Sequence, residues 1–197
     1  MTSLDTRSTR SATRRAALLD ELVAVFLAEG FAAFTLDELA RRLHCSKTTL
    51  YGIAASKEQL VVAAVKRFFQ RATTAVEQRA TGPGDHRERI SSYLLTVAEQ
   101  LQPASPAFFA DLAAFAPARE IYQRNTRAAA DRVQQLVSEG VAAGTIRPVH
   151  PSFVGVAVAA VMSAIHRGDV TAATGLDDAA AYRELADLVV AGIAPPR

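Results

Sequence analysis

Cysteine occurs once in this chain of 197 residues, tryptophan not at all, and lysine only at positions 47, 57 and 66. A single thiol, Cys45, closes no intramolecular disulfide, so the fold must rest on its apolar core, and the cytoplasm is the expected compartment. Long hydrophobic runs are missing too. The nearest, "FVGVAVAAVMSAI", is shorter than the roughly 20 residues a bilayer crossing needs, and it stops at His166 and Arg167. A buried helix is expected there, and no membrane partner. Ligand-spaced histidines are also lacking: His44, His86, His150 and His166 lie far apart, so neither a metal nor another cofactor is expected. No nucleophile, base and orienting group come together, which leaves an enzyme unsupported.

What is present is helical period. Strand-like alternation is almost absent, alanine is abundant, and the expected fold class is all-α. A basic stretch with Arg7, Arg10, Arg14 and Arg15 reads as a flexible arm over residues 1–13, ahead of a first helix from Arg14 to Glu29 that Gly30 ends. Thr35 and Glu38 have capping-box spacing and start a second helix over Leu36 to Leu43. Ser46 restarts the pattern and caps "KTTLYGI", and Ser56 precedes a long helix over residues 57–80. The run "TGPGD" at 81–85 cannot continue a helix and marks the domain boundary. Beyond it about five more helices are expected, with "DVTAATGLDD" as a loop and Asp177/Asp178 as a helix start. The organisation expected is a DNA-binding domain over 14–60, a linking helix over 57–80, and a C-terminal domain over 85–197.

Net charge is only +2, yet bases cluster between Arg7 and Arg71. Local patches matter more than the total for phosphate binding. Two short helices across a tight turn have the layout of a helix-turn-helix, whose second helix enters the major groove by its first turn. Lys47, Thr48, Thr49 and Tyr51 sit there, with Ser46 as cap, and Thr35, Arg42 and Lys57 flank the pair as candidate phosphate contacts. A solvated, well-capped helix start is the bland alternative.

The stretch "GFAAFTLDELARRLHCSKTTLYGIAASKEQLV" resembles the N-terminal DNA-binding domain of the TetR family of bacterial transcriptional regulators, over roughly residues 14 to 71. The resemblance implies a ligand-responsive repressor that binds a palindromic double-stranded DNA operator as a homodimer, with a C-terminal domain for an effector and for dimerisation. Two departures stand out. The turn has His44-Cys45 where the family generally has Gly-Val, and Ala54 replaces the usual aromatic three residues after Tyr51. If the turn needs a positive φ, histidine tolerates it better than a β-branched residue. Cys45 reads as a small apolar filler rather than a redox sensor.

In the C-terminal part, Tyr93, Phe108, Phe109, Leu112, Phe115, Tyr122, Met162 and His166 are candidates to line a pocket for a largely apolar small molecule, or simply a core. Arg119, Gln123 and Asn125 are weaker polar candidates. Phe153, Val156, Ala157, Ala160, Val161 and Ala164, with Leu185, Leu188 and Val189, belong to two helices too apolar for a monomer surface, so a four-helix dimer seam is expected. An architectural DNA binder without a ligand, and a helical carrier or enzyme that has lost DNA binding, remain the alternatives.

Overall fold

A computed structural model of the protein describes the backbone of residues 3–195 and the side chains of residues 13–195. Among the described residues there are ten helices and no strand: α1 (Ser3–Glu29), α2 (Leu36–Arg42), α3 (Lys47–Tyr51), α4 (Lys57–Ala80), α5 (His86–Leu101), α6 (Pro106–Ala114), α7 (Ala116–Ala142), α8 (Pro151–His166), α9 (Asp169–Thr174) and α10 (Asp178–Ile193). The all-α expectation holds. Two local expectations do not. Helix α1 runs back to Ser3 instead of starting at Arg14, so most of the expected arm is helical backbone, while residues 1 and 2 lie outside the described residues. The segment expected as a loop after Gly168 contains α9, held between two glycines with left-handed φ of 77° each.

The caps explain most of the helix starts. Thr35 and Asp85 each close a reciprocal capping box, with Glu38 and Glu88 respectively. Ser46, Ser105 and Asp177 each accept a hydrogen bond from a backbone N–H in the first turn of the helix that follows. Gly30, at φ 76°, ends α1. A five-residue helix such as α3 is too short to persist alone. Burial of an apolar side chain is worth about 1.5–3 kcal/mol, against about 1 kcal/mol for a cap. Packing of Leu39 and Leu50, both essentially inaccessible, therefore decides that α2 and α3 form.

The chain divides into two compact units. One comprises Met1–Gln70 with Ala104–Ile121, the other Arg71–Pro103 with Tyr122–Arg197. The boundary expected at 81–85 lies inside the second unit: the units divide after Gln70, within α4, and the short helix α6 joins the first unit. The reason is aromatic packing: Phe108 of α6 meets Phe31 and Phe68 edge to face, with centroids 6.2 and 5.9 Å apart. In the same unit Arg67 of α4 makes a two-pronged contact with Asp20 of α1, at 2.8 and 2.9 Å.

The second unit is built around α10, which packs on α5, α8 and α9. Its core includes Ile90, Leu94, Val133, Leu136, Ile146, Ile165 and the fully buried Tyr182. Arg132 of α7 reaches Glu77 of α4 at 3.1 Å. Gly140 lets the end of α7 approach the connector so closely that a Cβ would lie 2.5 Å from Ile146 Cδ1 and 2.9 Å from His86 Cβ.

Candidate nucleic-acid interface

Helices α2 and α3 are joined by a tight turn in which His44 adopts φ 47°. The turn carries two returning hydrogen bonds, His44 N–H to Arg41 O at 3.2 Å and Cys45 N–H to Ala40 O at 2.9 Å. Histidine thus occupies a left-handed position, the conformation the sequence left conditional. Cys45 is partly buried, and burial pushes its thiol up from the ordinary value, away from the thiolate a redox role requires.

The first turn of α3 is exposed on the outside. Lys47, Thr48, Thr49 and Tyr51 all face solvent, Tyr51 with 52% of its surface accessible, while Leu50 between them is buried and anchors the helix. An exposed tyrosine, hydroxyl groups and a lysine on one short helical surface are the donors and apolar edges that read base pairs and phosphates.

Several of the candidate contacts are already engaged. Ser46 Oγ accepts from Thr49 N–H at 3.1 Å and lies 2.8 Å from Thr49 Oγ1, so these two hydroxyls form the cap. Thr35 Oγ1 donates to Glu38 Oε2 at 2.7 Å, and hydrogen bonds from Thr35 hold the Glu38 carboxyl below its usual range. Lys47 Nζ sits 2.7 Å from Asp37 Oδ2, which raises the lysine pKa. Arg42 pairs with Glu29, and Lys57 Nζ donates to the Ala32 carbonyl at 2.7 Å. Thr48 and Tyr51 are exposed and uncommitted to these pairs.

Sequence reasoning missed the partner that steadies the end of α3. Arg15 Nη2 donates to the Ile53 carbonyl at 2.9 Å, so the arginine of α1 holds the segment that lacks the usual aromatic at Ala54. Nothing local in the sequence signals this, because the two residues lie 38 positions apart.

The family model for bacterial regulatory proteins of the TetR family matches residues 18–64, which span the second half of α1, α2, α3 and the start of α4. Residues 18–64 thus form a DNA-binding domain of the TetR type. A DNA-binding transcriptional repressor TetR of Mycobacteroides abscessus is 39% identical over 56 residues, 28% of this chain and 30% of the repressor's own length. The whole fold is similar to a candidate transcriptional regulator from Saccharomonospora viridis solved with choline, at a TM-score of 0.75 and 14% identity over 94% of this chain and 100% of the other. A TetR-family regulator from Cytophaga hutchinsonii matches at a TM-score of 0.71 and 16% identity over 95% and 98% of the two chains. At these identities the structural likeness speaks for the TetR-type fold, and the family assignment rests on the N-terminal domain.

The division into two units separates the aromatic group expected to line one pocket. Phe108, Phe109, Leu112 and Phe115 lie on the α6 segment of the first unit, and Phe108 and Leu112 are core residues there. Tyr93, Tyr122, Met162 and His166 belong to the second. In it, the His166 ring sits 4.8 Å from that of Tyr122, edge to face, and its Nε2 is 3.1 Å from the Tyr182 hydroxyl. Burial pushes the His166 pKa down to about 3, so the imidazole is neutral. Beside this cluster a groove of about 290 Å³ is lined by Tyr122, Gln123, Thr126, Arg127, Ala159 and Ser163. Arg119 is instead turned back on the Ala113 carbonyl of the first unit.

The expected dimer seam is mostly a surface. Phe153, Val156 and Leu188 are 72%, 68% and 72% exposed, Ala157 and Ala160 are exposed, and Val161, Ala164 and Val189 are half-buried. Leu185 departs from the expectation: it is 4% exposed because it packs within its own unit, on the inner face of α10. Among the described residues there is no cluster of three or more metal-ligating side chains, and no helix is long and apolar enough to cross a membrane.

Proposed function

We propose that the chain is a ligand-responsive transcriptional repressor that binds a palindromic operator as a homodimer in the cytoplasm, without catalytic activity. The exposed first turn of α3 carries this reading: Lys47, Thr48 and Tyr51 stand outward on a helix whose only buried residue is Leu50. Two copies are needed to read two half-sites, and the apolar surface of Phe153, Val156 and Leu188 on packed helices α8 and α10 supports self-association. The groove beside Tyr122 supports an effector with an apolar body. Two hydroxyls on its wall are turned to their own helices, Thr126 to Tyr122 O at 3.2 Å and Ser163 to Ala159 O at 2.8 Å.

Fluorescence anisotropy on duplexes selected by the wild-type chain from a random pool tests the DNA assignment. Lys47→Ala and Tyr51→Ala each weaken binding about tenfold, the cost of one good base or phosphate contact. Binding at wild-type strength by both variants overturns the reading helix, and a monomer at micromolar concentration in sedimentation overturns the dimer.

A further inference from the structure

The loop between α1 and α2 is held by a side chain far away in sequence. At Gly30 the chain turns with φ 76°, and the next two backbone N–H groups, of Phe31 and Ala32, both donate to Asp111 Oδ2 at 2.5 and 2.7 Å. The Ala32 carbonyl, on the other side of the same peptide segment, accepts from Lys57 Nζ at 2.7 Å. Gly30 is required for space as well as for its φ. A Cβ at residue 30 would stand 2.6 Å from Asp111 Oδ2 and 3.3 Å from the Ala107 backbone, where the carboxylate and α6 already are. A further backbone contact, Ser105 N–H to Leu27 O at 2.7 Å, joins the start of the α6 segment to the end of α1.

This loop leads directly into Thr35, the cap of α2, and α2 packs on α3. The direction in which the chain leaves the loop therefore sets the axis of α2, and with it the aim of α3. Two charge-assisted hydrogen bonds to successive amides are a stiff constraint, each about twice as strong as a neutral one. The Phe31 ring is held independently, edge to face on Phe108 and Phe115 at 6.2 Å each. Loss of the carboxylate would thus leave the aromatic core in place and loosen the backbone that feeds α2.

We propose that Asp111 of α6 is a positioning residue for operator recognition: it fixes the α1–α2 loop through the Phe31 and Ala32 amides, and so aims α2 and α3 without touching DNA. The proposal rests on the regulator reading above. It extends the DNA-reading machinery to a carboxylate outside the matched residues 18–64.

The test compares wild type, Asp111→Ala, Asp111→Asn and Gly30→Ala on two probes, the duplex selected by wild type and an unrelated duplex of equal length. Asp111→Ala weakens binding to the selected duplex about tenfold while binding to the unrelated duplex, and its salt dependence, stay within about twofold, because phosphate contacts do not need the exact aim of α3. Asp111→Asn keeps a side-chain oxygen acceptor and recovers most of the loss. Gly30→Ala displaces the carboxylate and imitates Asp111→Ala, and the double variant is no worse than Gly30→Ala alone, the non-additivity expected of groups in contact. Amide hydrogen exchange at Phe31, Ala32 and along α2 quickens in Asp111→Ala, with or without DNA.

Wild-type affinity for the selected duplex in both Asp111 variants overturns the proposal. So does an equal loss on both duplexes, in Asp111→Ala or, if that variant does not fold, in Asp111→Asn. A wild-type chain that selects no duplex at all overturns the regulator reading and this proposal with it, whereas intact selection with indifferent Asp111 variants overturns the proposal alone.

Discussion

The Lys47 ammonium and the Asp37 carboxylate, one at the start of α3 and the other in the first turn of α2, stand 2.7 Å apart. The cation that opens α3 is therefore already paired with a carboxylate. Arg42 is treated in the same way by Glu29. Exposed pairs of this kind are weak and screened by salt; on the proposed function, a phosphate or a base edge displaces the carboxylate easily, while the pair lowers the pull of the surface on DNA of any sequence.

Asp37→Asn is accordingly expected to raise affinity for an unrelated duplex about two- to fivefold at low salt, with a smaller gain on the selected duplex, so the ratio of the two falls. Titrations of both duplexes across a salt series measure it. An unchanged ratio means that Asp37 has no part in discrimination.

His44 offers a second prediction. At φ 47° a non-glycine residue costs about 1–2 kcal/mol. Glycine removes that cost but makes the unfolded chain looser by roughly 0.5–1 kcal/mol. His44→Gly should therefore stabilise the protein slightly, by up to about 1 kcal/mol, and His44→Val should destabilise it by about 1–2 kcal/mol. Denaturant midpoints decide: a valine variant as stable as wild type would mean that the turn relaxes to negative φ.

His166 makes stability depend on pH. In the unfolded chain it takes up a proton near pH 6.5, while burial keeps it neutral in the folded protein until about pH 3. Between those values the unfolded state binds more protons, so stability is full above pH 6.5 and falls by about 1.4 kcal/mol per pH unit below it. His166→Phe flattens that slope. It also costs about 1–3 kcal/mol at neutral pH, because the buried Tyr182 hydroxyl loses the ring nitrogen it meets. Urea melts at pH 7.5 and 5.5 compare the two slopes, and parallel slopes would place the acid sensitivity elsewhere.

How far the sequence reaches is visible in particular residues. Thr35 with Glu38, Ser46, Asp177 and Gly30 act within a few positions of themselves, through caps and a left-handed turn, and each is legible in the sequence. The same holds for α2, α3 and the helix break at 81–85, but not for the domain boundary expected there, since the units divide after Gln70, within α4. Helix α9 was not legible, since a single turn and a half between two glycines has no apolar period to show. The extension of α1 to Ser3 was hidden for the same reason, as its polar first turns carry no stripe.

The all-helical class, the helix-turn-helix and its outward Lys47, Thr48 and Tyr51 were thus determined by the sequence alone, because period, caps and turn chemistry act over one or two helical turns. Tertiary structure decided the rest. It placed Asp111 on amides 79 and 80 residues away, and Arg15 on a carbonyl 38 residues away. It divided one aromatic list between two cores, and on α10 it buried Leu185 to 4% exposure while leaving Leu188 at 72%. Apolar residues at helical spacing announce that a face will be covered; which neighbour covers it depends on contacts between segments distant in the chain, and only the folded packing selects among them.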